Sequence, residues 1–372
     1  MKELRIKDIC DKGSSNLKQK DVEGKNGLYP VYGASGVISH IDTYHQEDNY
    51  IAIVKDGSGI GRVTFMPAKS SVIGTMQYIL PKEGFNINYI GYCLQSLDLS
   101  KYKQGAAIPH IYFKDYGERI VKVTEDKNEQ QSIVDYLDSA FAKIDAMKAN
   151  AEKALNEAKA LFQASLKKML EPKEGWEEKN LGAVTSKIGS GATPRGGRKV
   201  YIEEGCHLIR SMNVQYNEFK YDDLAHITDD AAEQLKGVEV QENDVLFNIT
   251  GASIARCCVV PADVLPARVN QHVSILRLKQ DVLPRFLSFM MNNPKHQREL
   301  LEIGEAGSTR QALTKTDLEN HVICYPGLDN QIKLICTLDS LKSKVDRLKA
   351  NYVKISQECD ALKQAILRQV FE

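Results

Sequence analysis

The sequence lacks the features that mark a membrane protein or a metalloprotein. No apolar run approaches the ~18 residues of a membrane span, and the charged residues 1–10 lack the apolar core of a signal peptide. The eight cysteines show no paired zinc-ribbon spacing and are expected to be buried thiols in a reducing cytoplasm. The eight histidines are scattered, without metal-ligand spacing. We therefore expect no membrane contact and no bound metal.

Excess charge of either sign is also missing. The chain has 49 basic and 49 acidic side chains, so its formal net charge is zero, and no long segment is strongly basic. A protein that binds nucleic acid usually shows a basic domain or stripe. Any contact with a polyanion must therefore come from local patches, or the chain must share the task with a more basic partner.

Catalytic machinery cannot be found in the sequence. No two prolines are adjacent, so the Pro-Pro-aromatic strip of amino-group methyltransferases is missing. The glycine-rich residues 56–61 lack the Lys-Ser/Thr ending of a phosphate-binding loop and precede a predicted strand, which favours a tight turn. The acidic pairs Asp222-Asp223 and Asp229-Asp230 are expected to be solvated on a helical surface. We predict no catalytic residue.

A long internal repeat is the strongest feature that the chain does have. Residues 130–171 and 331–372 align without a gap at an offset of 201, and 17 of the 42 paired positions are identical. Leu137-Asp138-Ser139, for example, matches Leu338-Asp339-Ser340. The repeat divides the chain into two similar halves, each a variable segment followed by a repeated segment.

Both copies of the repeat have helical periodicity. Apolar residues recur at alternating steps of four and three, the spacing of a coiled-coil seam, and each helix could reach about 60 Å. Such a stripe needs a partner; the other copy is the nearest candidate, and packing of each helix on its own globular half is the alternative. The residues expected to pair the helices or dock subunits are Ile133, Leu137, Ile144, Met147, Leu161, Leu338, Leu341, Val345, Leu348, Ile355 and Leu362.

The two variable segments have mixed α/β patterns and end alike. In the first, the patterns predict strands over 50–54, 62–65 and 76–80 and a helix over 88–97. In the second, they predict strands over 243–251 and 270–276. Each segment ends with a glycine followed by two small residues, then a turn that contains Lys and Asp, and then a short strand. The repeat is therefore expected to extend into the globular parts. The predicted boundaries are 1–124, 125–171, 172–328 and 329–372.

A polar loop in the second segment could follow a phosphate backbone. Residues 187–199 contain Lys187, Arg195, Arg198 and Lys199 and no acid, although a solvated linker has the same composition. Asn and Gln at strand edges can pair with adenine in a major groove. In this segment they are Asn248, Asn270 and Gln271.

The order of these features resembles the specificity subunit of type I restriction-modification enzymes. Two variable segments alternate with two similar long helices, as in that family. The motifs that are similar are 29–36, Asp56-Gly57-Ser58 and 105–110 in the first segment, and Thr193-Pro194-Arg195-Gly196 and Val269-Asn270-Gln271-His272 in the second. The resemblance covers essentially the whole chain.

This resemblance implies an α+β fold with two α/β target-recognition domains and two long helices that pair as an intramolecular antiparallel coiled coil. Each domain is expected to read one half of a bipartite site in double-stranded DNA, and the helices to set the spacer. The helices would also dock two methylase subunits, and restriction/translocase subunits would join the complex. S-adenosylmethionine, ATP and Mg would bind in those partners, and this chain would be non-catalytic.

The resemblance also suggests which residues contact DNA. Lys187, Arg195, Arg198 and Lys199 are expected at phosphates, and Asn248, Asn270, Gln271, Arg310 and Gln311 at base edges. The candidates in the first segment are Tyr32, Ser35, Ser58, Arg62, His110 and Tyr112. One alternative is a protein-interaction scaffold with two globular modules on a coiled coil, and another is an enzyme with diverged motifs.

Overall fold

The structure, a computed structural model, describes residues 1–105, 109–305 and 312–372. It contains two compact units, which are described separately. The first unit comprises Met1–Glu152 with Asn351–Glu372, and the second comprises Lys153–Ala350. Among the described residues, no helix combines the length and the apolar character needed to cross a membrane.

The first unit contains three sheets and the helices packed on them. Its strands are β1 Lys2–Arg5, β2 Cys10–Ser14, β3 Tyr29–Gly33, β4 Gly36–Ile41, β5 Tyr50–Val54, β6 Val63–Met66, β7 Ser71–Val72, β8 Met76–Pro81 and β9 Ile120–Val123. Its short helices are α1 Ile6–Ile9, α2 Gln19–Val22, α3 Ile87–Ser96 and α4 Phe113–Tyr116. The sheet orders are β1-β9, β2-β8-β5-β6 and β4-β3-β7. The strands predicted over 50–54, 62–65 and 76–80 and the helix over 88–97 are therefore present, within one residue or so of their predicted ends.

Strand β5 separates two hydrophobic cores of the first unit. All five of its residues are buried, because alternate side chains point to opposite faces of a sheet. Ile51 and Ile53 pack in the core beneath α3, whereas Tyr50, Ala52 and Val54 pack in the core on the other face. This double burial places the turn that follows β5 at a fixed position on the surface.

The second unit repeats the order of the first and adds a larger sheet. Its strands are β10 Glu177–Asn180, β11 Thr185–Ser190, β12 Tyr201–Ile202, β13 Cys206–Ile209, β14 Val214–Gln215, β15 Glu218–Phe219, β16 Ala225–Ile227, β17 Glu239–Val240, β18 Val245–Asn248, β19 Cys257–Val259, β20 Ala267–Val269, β21 Val273–Leu278 and β22 Val322–Tyr325. Sheets β10-β22 and β11-β21-β18-β19 correspond to β1-β9 and β2-β8-β5-β6, and the additional sheets are β12-β16-β13-β20-β17 and β14-β15. The repeat therefore extends through the globular parts, as predicted.

The helices of the second unit include the start of the second copy of the repeat. The short ones are α6 Leu181–Val184, α7 Asp229–Gln234, α8 Pro284–Met291, α9 Pro294–Glu305 and α10 Lys315–Asn320, and the two long ones of the chain are α5 Lys127–Met169 and α11 Leu328–Phe371. Asp222 and Asp223 lie in a turn before β16 and not on a helix. The prediction of a helical surface there is wrong, and only Asp229 and Asp230 open a helix.

The long helices pack together in both units. In the first unit, Lys148 lies 3.3 Å from Asp360 and Asp145 lies 2.6 Å from Lys363, so rising numbers on α5 meet falling numbers on α11. In the second unit, Leu166 and Leu338 share one core. The predicted antiparallel pairing within the chain is thus confirmed.

The buried stripe differs from the predicted seam at three positions. Leu137, Ile144 and Leu338 are buried, and Ile133, Leu341, Val345, Leu348 and Ile355 are half-buried. Met147, Leu161 and Leu362 are instead 58%, 62% and 48% exposed, so the prediction that they pair the helices is wrong, and docking of a subunit by them stays a prediction. A straight helix drifts by about 20° per heptad from a 3.5-residue repeat, and Phe162, Leu166 and Leu367 take over the contact.

Candidate nucleic-acid interface

Two turns of the first unit are joined by an arginine. The chain between β5 and β6 reverses at Gly57, Gly59 and Gly61, which all have φ near +80°, a conformation that favours glycine. This confirms the tight turn and excludes the phosphate-loop alternative. The guanidinium of Arg62 donates through Nη2 to the carbonyl of Ala34, at 2.7 Å, in the turn between β3 and β4. The exposed side chains of Ser35 and Ser58 thereby lie on two linked turns.

A second pair of predicted residues stands beside the same turn. His110 pairs with the carboxylate of Asp56, which opens the turn, and the rings of His110 and Tyr112 are 4.2 Å apart. Burial and the nearby charge of Lys55 lower the pKa of His110, so a neutral imidazole donates Nδ1–H to Asp56. Tyr112 is 42% exposed, and Lys114 Nζ lies 5.3 Å from its ring centre. Tyr32 is half-buried in the core beside β5.

Asn248 and Asn270 in the second unit are structural rather than exposed. Asn248 is fully buried, and its Nδ2 donates to the carbonyls of Ser211 at 2.9 Å and Val214 at 3.2 Å. Asn270 is 9% exposed, and its Oδ1 accepts the backbone N–H of His272. Burial contradicts the prediction that Asn248 reads a base edge, because its donor group is already used inside the unit.

Gln271 is exposed and held by its neighbours on both atoms of its amide. Its Oε1 accepts from the hydroxyl of Thr193 at 2.8 Å, and its Nε2 donates to Nε2 of His272 at 2.9 Å. The acceptor role of Nε2 places the imidazole hydrogen on Nδ1, which donates to Thr250 Oγ1 at 2.5 Å. One amide hydrogen and one oxygen lone pair of Gln271 stay available to a ligand.

A groove continues from His272 across the second unit. It is lined by Ser211, Met212, Gln215, Thr250, Gly251, Ala252, Ser253, Arg256 and His272. Arg256 Nη1 donates to Gln215 Oε1 at 2.8 Å, its guanidinium lies 5.4 Å from the ring centre of Tyr216, and its Nε has no partner among the described residues. Met212 and Tyr216 are 42% and 50% exposed. The groove thus combines a cation, an amide and exposed surfaces for stacking.

The predicted basic loop is shorter than expected. Lys187 lies in β11, and its Nζ donates to the carbonyl of Gly237 at 2.8 Å. Burial and the charge of Arg277 lower the pKa of Lys187. Arg195 and Lys199 are exposed beyond the strand and can reach a ligand. The side chain of Arg198, and both Arg310 and Gln311, lie outside the described part of the chain.

Comparison with known proteins agrees with this architecture. Residues 1–157 and 173–357 match the family described as "Type I restriction modification DNA specificity domain". The chain belongs to this family. It is 24% identical over 273 residues to the type I restriction enzyme EcoBI specificity subunit of Escherichia coli, and 20% identical over 263 residues to the EcoKI specificity subunit of strain K12. Each alignment covers 65% of this chain, which spans about half the length of these relatives, 56% and 55%.

Solved structures show the same fold. A chain from work on complex assembly and conformational transition of the type I R-M system matches with a TM-score of 0.72 and 16% identity, over 98% of this chain and 96% of that one. The HsdS subunit from Thermoanaerobacter tengcongensis matches with a TM-score of 0.50 and 15% identity, over 98% and 95%. At these identities the likeness establishes the fold alone.

Several residues at the groove of this specificity-family member could not be identified as candidates from the sequence alone. Met212 and Tyr216 lie near the β14-β15 hairpin, whereas Thr250 and Arg256 lie about the turn between β18 and β19. These turns are some forty residues apart in the chain, and neither contains a motif. Only His272, next to Gln271 in a quoted motif, carried a local signal.

Proposed function

We propose that this chain is the DNA-recognition subunit of a type I restriction-modification complex. The recognition domain of each unit reads one half of a bipartite target in double-stranded DNA. The observation that carries this proposal is the groove of the second unit in a member of the DNA specificity family. Arg256, Met212 and His272 line this groove, and Gln271 adjoins it through its hydrogen bond to His272.

The groove of the second unit and the adjoining Gln271 form the second recognition face. Their side chains can hydrogen-bond to a base edge. Gln271 is fixed by Thr193 and His272, so its remaining N–H and lone pair keep one orientation, which lowers the entropic cost of binding. A glutamine in that state can form the bidentate pair with adenine N6 and N7, and arginine forms the corresponding pair with guanine. We assign Gln271 to a base, and Arg256 to a base or to a neighbouring phosphate.

The first recognition face consists of the two linked turns of the first unit, together with Tyr112. Ser35 and Ser58 offer hydroxyl groups that can donate to or accept from a base edge or a phosphate, and Tyr112 offers an exposed ring. Arg62 is already bound to Ala34, so we assign it to holding the two turns together and, through its other donors, to a phosphate. The two faces differ in composition, and we propose that they read different sequences.

The zero net charge of the chain agrees with a complex in which other subunits share the binding of DNA. Phosphate contacts supply most of the salt-dependent affinity for DNA, and few cations are free among the described residues of the two recognition faces. We propose that two methylase subunits dock on the long helices and enclose the DNA, that restriction/translocase subunits complete the complex in the cytoplasm, and that S-adenosylmethionine, ATP and Mg bind in those partners. The helices set the distance between the half-sites.

The test is methylome sequencing of the host with and without this chain. A bipartite methylated motif should vanish when the chain is deleted and return with the wild-type copy. Complementation with Gln271→Ala should relax or abolish one half-site and leave the other unchanged. Lys236→Ala, which removes an exposed cation outside the groove, is the control and should restore the full motif. An unchanged methylome after deletion would refute the proposal and favour a scaffold without DNA contact.

A further inference from the structure

Three side chains with metal-ligand atoms converge in the second unit, away from its groove. His296 and Glu299 lie one turn apart on α9, and His321 lies between α10 and β22. His296 Nδ1 is 2.9 Å from His321 Nε2 and 3.8 Å from Glu299 Oε2. One ligand atom from each of the three residues lies within 4.8 Å of the others. The two histidines are 25 positions apart, which conceals this grouping in the sequence.

We propose that His296, Glu299 and His321 bind a zinc ion that ties α9 to the start of β22. Two imidazole nitrogens and one carboxylate oxygen are a ligand set that zinc accepts, whereas magnesium and calcium prefer oxygen alone. Tetrahedral zinc with Zn–N distances of ~2.05 Å places two nitrogens about 3.3 Å apart. The two nitrogens need to separate by a few tenths of an ångström from their present 2.9 Å, and the two rings need to tilt so that both lone pairs point at the zinc.

The protonation state of the cluster suits a cation. His296 Nδ1 and His321 Nε2 face each other at 2.9 Å, so one nitrogen donates and the other accepts. One of the two facing nitrogens now carries the hydrogen of their shared bond. Zinc takes the place of that hydrogen, and the ring concerned carries its N–H on the opposite nitrogen instead. Binding therefore requires a change of tautomer and no loss of a proton from either imidazole.

The two carboxylate oxygens of Glu299 face different neighbours. Its Oε1 lies 4.0 Å from Lys295 Nζ, which leaves Oε2 directed toward the imidazoles. A cavity of about 270 Å³ adjoins the cluster and includes Asn293, Glu178 and Cys324 in its wall, so a water molecule can complete the tetrahedron.

The same unit provides a matched control. His207 and His226 are paired across β13 and β16, with ring centres 4.7 Å apart, compared with 5.1 Å for His296 and His321. Among the described residues, they are not part of a group of three ligands. A histidine pair alone is therefore distinguishable from a pair completed by a carboxylate.

The experiment titrates zinc into the full chain after treatment with a chelator. Wild type should bind one zinc per chain, give the visible absorption of tetrahedral cobalt when Co²⁺ replaces zinc, and melt several degrees higher with zinc than without. His296→Gln and Glu299→Gln should each weaken zinc binding at least tenfold and abolish the thermal shift. His226→Gln should behave as wild type.

Two results would overturn the site. Zinc affinity that is the same in wild type, His296→Gln and Glu299→Gln would show binding elsewhere. Wild type without any zinc-dependent thermal shift would show that the two histidines form only a hydrogen bond. Glu299→Gln keeps the size of a half-buried side chain, so it reports on the site even where His296→Gln fails to fold. DNA recognition enters neither readout, so either result leaves the proposed function untouched.

Discussion

Gln130 and Gln331, at equivalent positions of the internal repeat, make the same three hydrogen bonds. Both side chains are fully buried. Gln130 Oε1 accepts the N–H of Asn86, and its Nε2 donates to the carbonyls of Gly84 and Thr124. Gln331 Oε1 accepts the N–H of Leu283, and its Nε2 donates to the carbonyls of Asp281 and Pro326. Each glutamine thus fixes its long helix to the loop that starts a helix of its recognition domain.

Replacing either glutamine should destabilise its own unit. Gln130→Ala and Gln331→Ala each leave buried backbone groups without partners, and we expect a loss of about 2–4 kcal/mol in the free energy of unfolding. Urea titration followed by circular dichroism measures it. Gln131→Ala, at the exposed neighbouring position, is the control and should change stability by less than about 0.5 kcal/mol. Equal effects at 130 and 131 would contradict a clamping role.

Removing one partner of a buried ion pair in the second unit should also lower the free energy of unfolding. Arg277 Nε and Nη2 donate to the two oxygens of Asp244 at 2.8 Å each, and the Asp244 side chain is fully buried. Asp244→Ala removes the carboxylate that pairs with the guanidinium and leaves the carbonyl of Glu239 as an acceptor for Nη2. We expect a loss of about 3–5 kcal/mol in the free energy of unfolding. The exposed pair Lys236–Glu233 offers the comparison, because Glu233→Ala should leave the unfolding midpoint unchanged. A similar midpoint for both variants would show that the Asp244 pair does not stabilise the fold.

Replacing Gln271 should affect DNA affinity, whereas replacing Asn248 should affect stability, although both side chains are amides. Gln271→Ala should weaken binding of the cognate site by about 1–3 kcal/mol with little change in melting temperature, since the side chain is exposed. Asn248→Ala should lower the melting temperature, because its amide holds Ser211 and Val214. Competition binding of the reconstituted complex and thermal melting measure the two effects. An equal loss of affinity of Gln271→Ala for unrelated DNA would exclude a base-reading role.

The length of the long helices should determine the spacing of the target. Inserting seven residues into α5 and seven into α11 lengthens each by about 10 Å, which corresponds to roughly three base pairs of B-DNA. The methylated motif of a host carrying this variant should have a longer spacer and the same half-sites. A variant with alanine at seven exposed positions of α5 controls for altered helix composition. An unchanged spacer would mean that the helices do not set it.

The internal repeat made the architecture predictable, whereas the candidate site depends on contacts between residues that are far apart in the chain. Matching blocks around Leu137 and Leu338 predicted two long helices correctly, and both leucines are buried. The same blocks conceal a difference, because Asp138 accepts from Tyr92 whereas Asp339 accepts from Arg285 at 2.6 and 2.9 Å. Repeated residues meet unrelated partners when the domains have diverged.

The candidate site was less predictable for a physical reason. Residue type indicates what a side chain can bind, but burial decides whether it is free to do so. Gln271 and Asn248 are both amides beside strands, yet one is exposed and the other is enclosed. Arg256 becomes a candidate only because two turns bring it beside Tyr216.

Strand β5, with a different core on each face, has a consequence for local unfolding. The amides of Ile51 and Ala52 lie between these two cores in a strand paired on both sides, so they exchange with solvent only after both cores have opened, whereas the edge strand β6 is paired on one side only. Their exchange rate therefore reports the global stability of the unit. The turn beginning at Asp56 starts two residues after this strand, so the proposed DNA-contacting turns of the first unit are anchored to a strand that is buried on both faces.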